Sequence, residues 1–157
     1  MSKRISIDDN FIVETKSNFD GTLVFCEGGY DERWYGVGDT VEMPWEELKD
    51  IRKYKRSFFE NNWIILEGNE EYTAAQMYEA LGVSQYYPVD ESLKSVDDVL
   101  SMKTNEIAKF LKDKNEGYKE TLYTYAKRLV EEGDKRLDST AKRTAIEKAV
   151  GMNFDEV

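Results

Sequence analysis

The pattern of apolar and polar positions changes character near residue 68. Before it, short runs of β-branched and aromatic residues alternate with glycine-bearing turns, as small strands do. Phe11–Thr15 and Thr22–Cys26 read as strands. Asn18-Phe19-Asp20-Gly21 lies between them, and its Asp-Gly pair predicts a tight hairpin, since both central residues must tolerate positive φ. Gly28-Gly29 and Gly36-Val37-Gly38 predict two further turns, around Arg33-Trp34-Tyr35 and before Thr40–Met43. The whole reads as a small twisted sheet or half-barrel.

A helix is expected to follow from Pro44, where the missing N–H costs nothing, and to run to Glu60. Glu46 and Glu47 fall in its first turn and Lys53, Lys55 and Arg56 in its last, complementing the helix dipole. Leu48, Ile51 and Phe58 recur at helical spacing, with the Lys55 stem expected along the same stripe. Asn61-Asn62 should end the helix, and Trp63–Leu66 reads as a final buried strand.

Beyond residue 68 the period becomes helical. Thr73 and Gln76 form a capping box before Met77, Tyr78 and Leu81, with Gly82 as the stop. Ser84–Asp90 reads as a connector and Val96–Leu100 as a short helix. Three more helices are expected: one capped by Thr104 and ending near Gly117, Tyr118–Glu132 ending at Gly133, and one capped by Asp138 or Ser139 and ending at Gly151. Ala141, Ala145, Ile146, Ala149 and Val150 are the expected inward face of the last. The fold class that follows is α+β: a small β-rich unit with one packed helix (1–68, helix 44–60), an acidic connector with short helices (69–102), and a three-helix unit (103–157).

A chain of 157 residues, 40% apolar and 13% aromatic, can bury a real core, and 34% charged residues suit a solvated surface. No apolar run reaches membrane-spanning length, and the start has no signal-peptide apolar stretch. With a single cysteine, synthesis in a reducing cytosol is expected. The net charge of −10 is uneven: residues 1–67 carry 9 basic and 14 acidic side chains, residues 68–102 carry 1 and 7, and residues 103–157 carry 12 and 11. This balance disfavours binding to a phosphate backbone, so no nucleic-acid or membrane partner is expected.

Reactive chemistry has little to work with. The chain has no histidine, which removes triad-type nucleophile activation and His-liganded zinc. Cys26, beside Phe25 in a predicted strand, reads as a buried structural cysteine. The acidic pairs, Glu46-Glu47 among them, read as solvated surface, and no calcium-loop spacing occurs. Gly36-Val37-Gly38-Asp39 lacks the third glycine of a dinucleotide fingerprint. No catalytic residue, cofactor or metal is therefore expected. Tyr30, Arg33, Trp34, Tyr35 and Trp45 form the one candidate site: exposed, they suit a sugar or a protein hot spot; buried, they are the core of a small sheet. The core reading is preferred, with an edge left for an interface.

Two stretches carry a resemblance. One runs from Trp34 through Gly36, Gly38-Asp39, Glu46-Glu47-Leu48 and Phe58–Ile65. The other runs from Thr104-Asn105-Glu106-Ile107 through Gly117, then Ala126–Gly133, Leu137-Asp138-Ser139 and Ile146–Gly151. In that order they resemble a group of small tailed-bacteriophage virion structural proteins, over about Phe11 to Gly151. The resemblance implies a non-enzymatic virion protein, made in the host cytoplasm, that contacts other virion proteins at the capsid, neck or tail, in multiple copies. The alternative is an acidic intracellular inhibitor or adaptor that binds a basic surface of a host protein. Lysines interleaved with the acids argue against the regular carboxylate rows that a nucleic-acid mimic needs. A small hydrolase or carbohydrate-binding module is the third reading.

Overall fold

A computed structural model of the chain describes residues 5–87 and 93–155. Pro88, Val89 and Asp90 of the expected connector lie outside them. The fold is α+β, with antiparallel strands in the front half and most helices behind. The chain divides into two compact units, Met1–Leu93 and Lys94–Val157, in place of the expected boundaries after residues 68 and 102.

In the front unit, β1 (Ile12–Ser17) is the centre of a three-stranded sheet ordered β4-β1-β5, with β4 at Thr40–Pro44 and β5 at Ile64–Leu66. Val13 faces Met43 and Ser17 faces Ile64, so Val13, Thr15 and Ser17 point into the core while Ile12 and Glu14 point out. The expected Asp20-Gly21 hairpin does not form. β2 (Leu23–Phe25) pairs instead with β3 (Glu32–Trp34) across the Gly28-Gly29 turn, as a separate two-stranded sheet. β4 pairs along five residues of β1, and β5, whose three residues are all buried, takes its other edge at Thr15–Ser17. Gly28 has φ +64, the conformation that favours glycine at this turn, and a Cβ there would also lie 3.2 Å from Asp50 Oδ2.

The expected single helix is two. α1 (Trp45–Tyr54) buries Trp45, Glu47, Leu48 and Ile51, and α2 (Ser57–Glu60) buries Phe58 and Phe59. Between them Lys55 leaves the helical region at φ −138, ψ 55 and is exposed rather than lying along the apolar stripe. The break lets Phe58 and Phe59 turn inward together. Asn62, at φ +54, then reverses the chain into β5. Trp63 is half-buried, edge-on to Phe19 at 5.1 Å, while Ile64, Ile65 and Leu66 are buried.

The segment after residue 68 belongs to the front unit because it completes β5. α3 (Ala74–Leu81) begins with the Thr73–Gln76 capping box and ends at Gly82, φ +75. It places Tyr78 so that Leu66 N–H donates to the phenol oxygen at 2.9 Å, while Tyr87 O–H donates to Ile64 C=O at 2.8 Å. The two rings stack 3.7 Å apart. Together they satisfy the outer edge of β5, which a fourth strand would otherwise have to cover.

The rear unit holds α4 (Val96–Leu100), α5 (Thr104–Leu111), α6 (Glu116–Glu131) and α7 (Thr140–Val150). α5 stops at Leu111, and Gly117 lies inside the first turn of α6 rather than ending a helix; Asn115 is the cap, its side chain accepting from Tyr118 N–H at 2.8 Å. Lys103, not Thr104, is the residue preceding α5. Ser139 caps α7, and Gly133 and Gly151 close α6 and α7 at positive φ. Arg136 clasps the unit, its guanidinium 3.0 Å from both Asp97 and Asp134, while Tyr125 O–H donates to Asp97 at 2.7 Å. Among the described residues no helix is long and apolar enough to cross a membrane.

Candidate functional site

The five candidate aromatic and cationic residues do not form one surface. Trp34 and Trp45 are core. Trp34 is fully buried, with its ring edge-on to Phe58 at 6.3 Å and its indole N–H donating to Thr15 Oγ1 at 3.0 Å. The Thr15 hydroxyl in turn donates to Val41 C=O at 2.7 Å, so this buried pair ties the two-stranded sheet to the three-stranded one. Trp45 opens α1, with its backbone N–H donating to Phe11 C=O at 2.7 Å.

The other three face outward to different degrees. Tyr30 is half-buried and stacked on Phe25 at 6.3 Å. Arg33 is exposed and spans to Asp31, Nε to Oδ1 3.3 Å. Tyr35 is 71% exposed. Its backbone is nevertheless held, because its N–H donates to Asp39 Oδ2 at 2.8 Å across the Gly36–Gly38 turn. A large ring on a pinned backbone loses little entropy when it docks, which is what a protein hot spot requires. Ile12 (51%) and Tyr54 (47%) are the other large apolar side chains exposed among the described residues, both also in the front unit.

A second feature escaped the sequence reading. Glu47, expected on the surface, is 1% exposed. Pro44 and Trp45 fix the phase of α1, and that phase turns position 47 inward beside Leu48 and Ile51. Burial first, and then the nearby Glu32 carboxyl and Asp50, together push its carboxyl up to about 7. Glu47 Oε2 has no hydrogen-bond partner among the described residues. The ionised form of Glu47 is therefore disfavoured by its burial and by a second carboxyl nearby. Burial, with Glu46, Asp50, Glu47 and Asp9 around it, also raises the Tyr30 phenol. Paired carboxyls can do acid–base chemistry, but Glu47 is closed to any substrate. No three Cys, Asp or Glu side chains among the described residues converge to hold a metal ion.

Cys26 is exposed, contrary to expectation, because β2 ends at Phe25 and the next residue lies outside the ladder. Ala141 is also exposed, and Ala145 and Ala149 are half-buried; only Ile146 and Val150 of the expected inward face of α7 are buried. The alanines line an open trough with α5.

Comparison with protein families, with curated proteins and with solved structures returns no match for this chain.

Proposed function

We propose that this protein is a non-enzymatic structural component of a tailed-bacteriophage particle, acting through contacts with other virion proteins at the capsid, neck or tail. The observation that carries the reading is the division of labour among its aromatic residues. Trp34 and Trp45 are consumed by the core, and Tyr35, its backbone N–H tied to Asp39, stays 71% exposed among the described residues. Glu47, the carboxyl pushed furthest up among the described residues, is buried away from any substrate, whereas the side chain best suited to association is exposed. The order of residue stretches that resembles small virion proteins supplies the particle.

The test is mass spectrometry of purified particles from a phage whose copy of this gene carries either the parent sequence or Tyr35→Ala. The parent protein is expected as a stoichiometric component, and the variant is expected to lose incorporation about tenfold or more while keeping its unfolding midpoint. Particles complete without the protein would sink the proposal. Full incorporation of the variant would move the contact away from Tyr35.

A further inference from the structure

The division of charge between the units is sharper than the sequence segments suggest. Residues 1–93 carry 9 basic and 19 acidic side chains, and residues 94–157 carry 13 of each. The rear unit is thus neutral overall, and its lysines are not dispersed evenly. Between α5, α6 and α7 lies an open trough of about 710 Å³. Ala141, Ala145 and Ala149 form one wall, a single i, i+4, i+8 ridge of α7, and Ala108 with Leu111 forms the other on α5. Thr144, Lys112, Lys119 and Lys148 complete the lining, which contains no carboxylate, although Glu116 Oε1 lies 3.9 Å from Lys119 Nζ. Lys112 and Lys148 are exposed.

Small side chains along parallel ridges let another helix approach closely, and the alanine ridge runs for roughly 12 Å at helical rise, about two turns of an occupant. An apolar floor rimmed by cations selects against a bare phosphate backbone, which would leave the floor uncovered. Two troughs face to face would oppose lysine to lysine, so a symmetric pair of this chain is disfavoured. We propose that the trough is a docking groove for an amphipathic helix of a partner protein, with its apolar ridge on the alanines and its flanking carboxylates on Lys112, Lys119 and Lys148. This surface is distinct from Tyr35 and stands whether or not the virion reading holds.

The test uses the full chain, ¹⁵N-labelled, titrated with a synthetic amphipathic peptide of about 18 residues, a length that can hold a helix once docked. One peptide carries leucine and alanine on its apolar stripe with glutamate on both flanks; a second has lysine in place of each glutamate. The glutamate peptide is expected to shift the amides of Ala108–Lys112 and Ala141–Ala149, bind at least tenfold more tightly than the lysine peptide, and weaken as salt is raised. Lys112→Glu/Lys148→Glu is expected to reverse the preference; both positions are exposed, and Ala145→Trp, which fills the trough, gives a second variant that should abolish binding of either peptide. Equal binding of the two peptides, or shifts confined to other helices, would overturn the proposal. So would the same amides shifting with concentration alone, which would mean a second copy, or with phosphatidylglycerol vesicles and not with the glutamate peptide, which would mean a lipid surface.

Discussion

Glu47→Gln should remove a pH dependence that the fold builds into the front unit. The carboxyl rises from 4.5 to about 7 because α1 carries it into the core beside Glu32 and Asp50. At 1.36 kcal/mol per pKa unit the rise corresponds to about 3 kcal/mol. The sign follows from proton binding. Between pH 4.5 and 7 the folded state holds a proton that the unfolded state has released, so raising the pH costs stability. The contribution is complete below pH 4.5, declines through the window and is gone above about 7. Glutamine keeps the shape, donates an N–H to the Glu32 carboxylate and cannot ionise. The variant should therefore match the parent at pH 4.5 and exceed it by up to about 3 kcal/mol at pH 8, or roughly 6–12 °C in a chain of this size. All three tryptophans lie in the front unit, so urea unfolding followed by their emission reads that unit alone. The difference between parent and variant cancels the other carboxylates. Glu32→Gln should reduce the slope without abolishing it, since burial is the larger cause. A parent-minus-variant difference that stays flat from pH 4.5 to 8 would refute the raised carboxyl and place Glu47 in water.

Other outcomes follow from the packing. Trp34→Ala should cost about 3–5 kcal/mol in urea unfolding, whereas Trp34→Phe, which keeps most of the volume and loses the bond to Thr15, should cost about 1–2; a parent-like midpoint for the alanine variant would mean the ring is not core. Cys26, exposed at the end of β2, should react stoichiometrically with a thiol reagent in the folded protein, and a thiol that reacts only in urea would contradict its position. Truncation after Leu93 should leave a cooperatively melting front unit, while truncation after Gly68 should not, because it removes Tyr78 and Tyr87 and strips the edge of β5. Equal behaviour of the two fragments would return the boundary to residue 68.

What could be read along the chain was what neighbours in sequence decide. The Thr73–Gln76 capping box, the positive-φ stops at Gly82, Gly133 and Gly151, and the strand beginning near Phe11 are local geometry, and each stands as the residues imply. The α+β class follows from the change of period near residue 68. Pairing was not local. Asp20-Gly21 has the chemistry of a hairpin turn, but both edges of β1 are taken by strands distant in sequence, β4 along five residues and the fully buried β5 along three, and β2 pairs with β3 instead. The same holds for the sites. Tyr30, Arg33, Trp34, Tyr35 and Trp45 looked alike as a group, and only packing against Phe58 and Thr15 separates the core rings from the exposed Tyr35. Glu47 and the alanines of α7 were misassigned for one reason: a helix's sequence gives its faces, and the phase at which it docks determines which face is buried. That phase comes from β4 running through Pro44 into α1, and from α5 and α6 flanking α7, contacts made across many residues of chain.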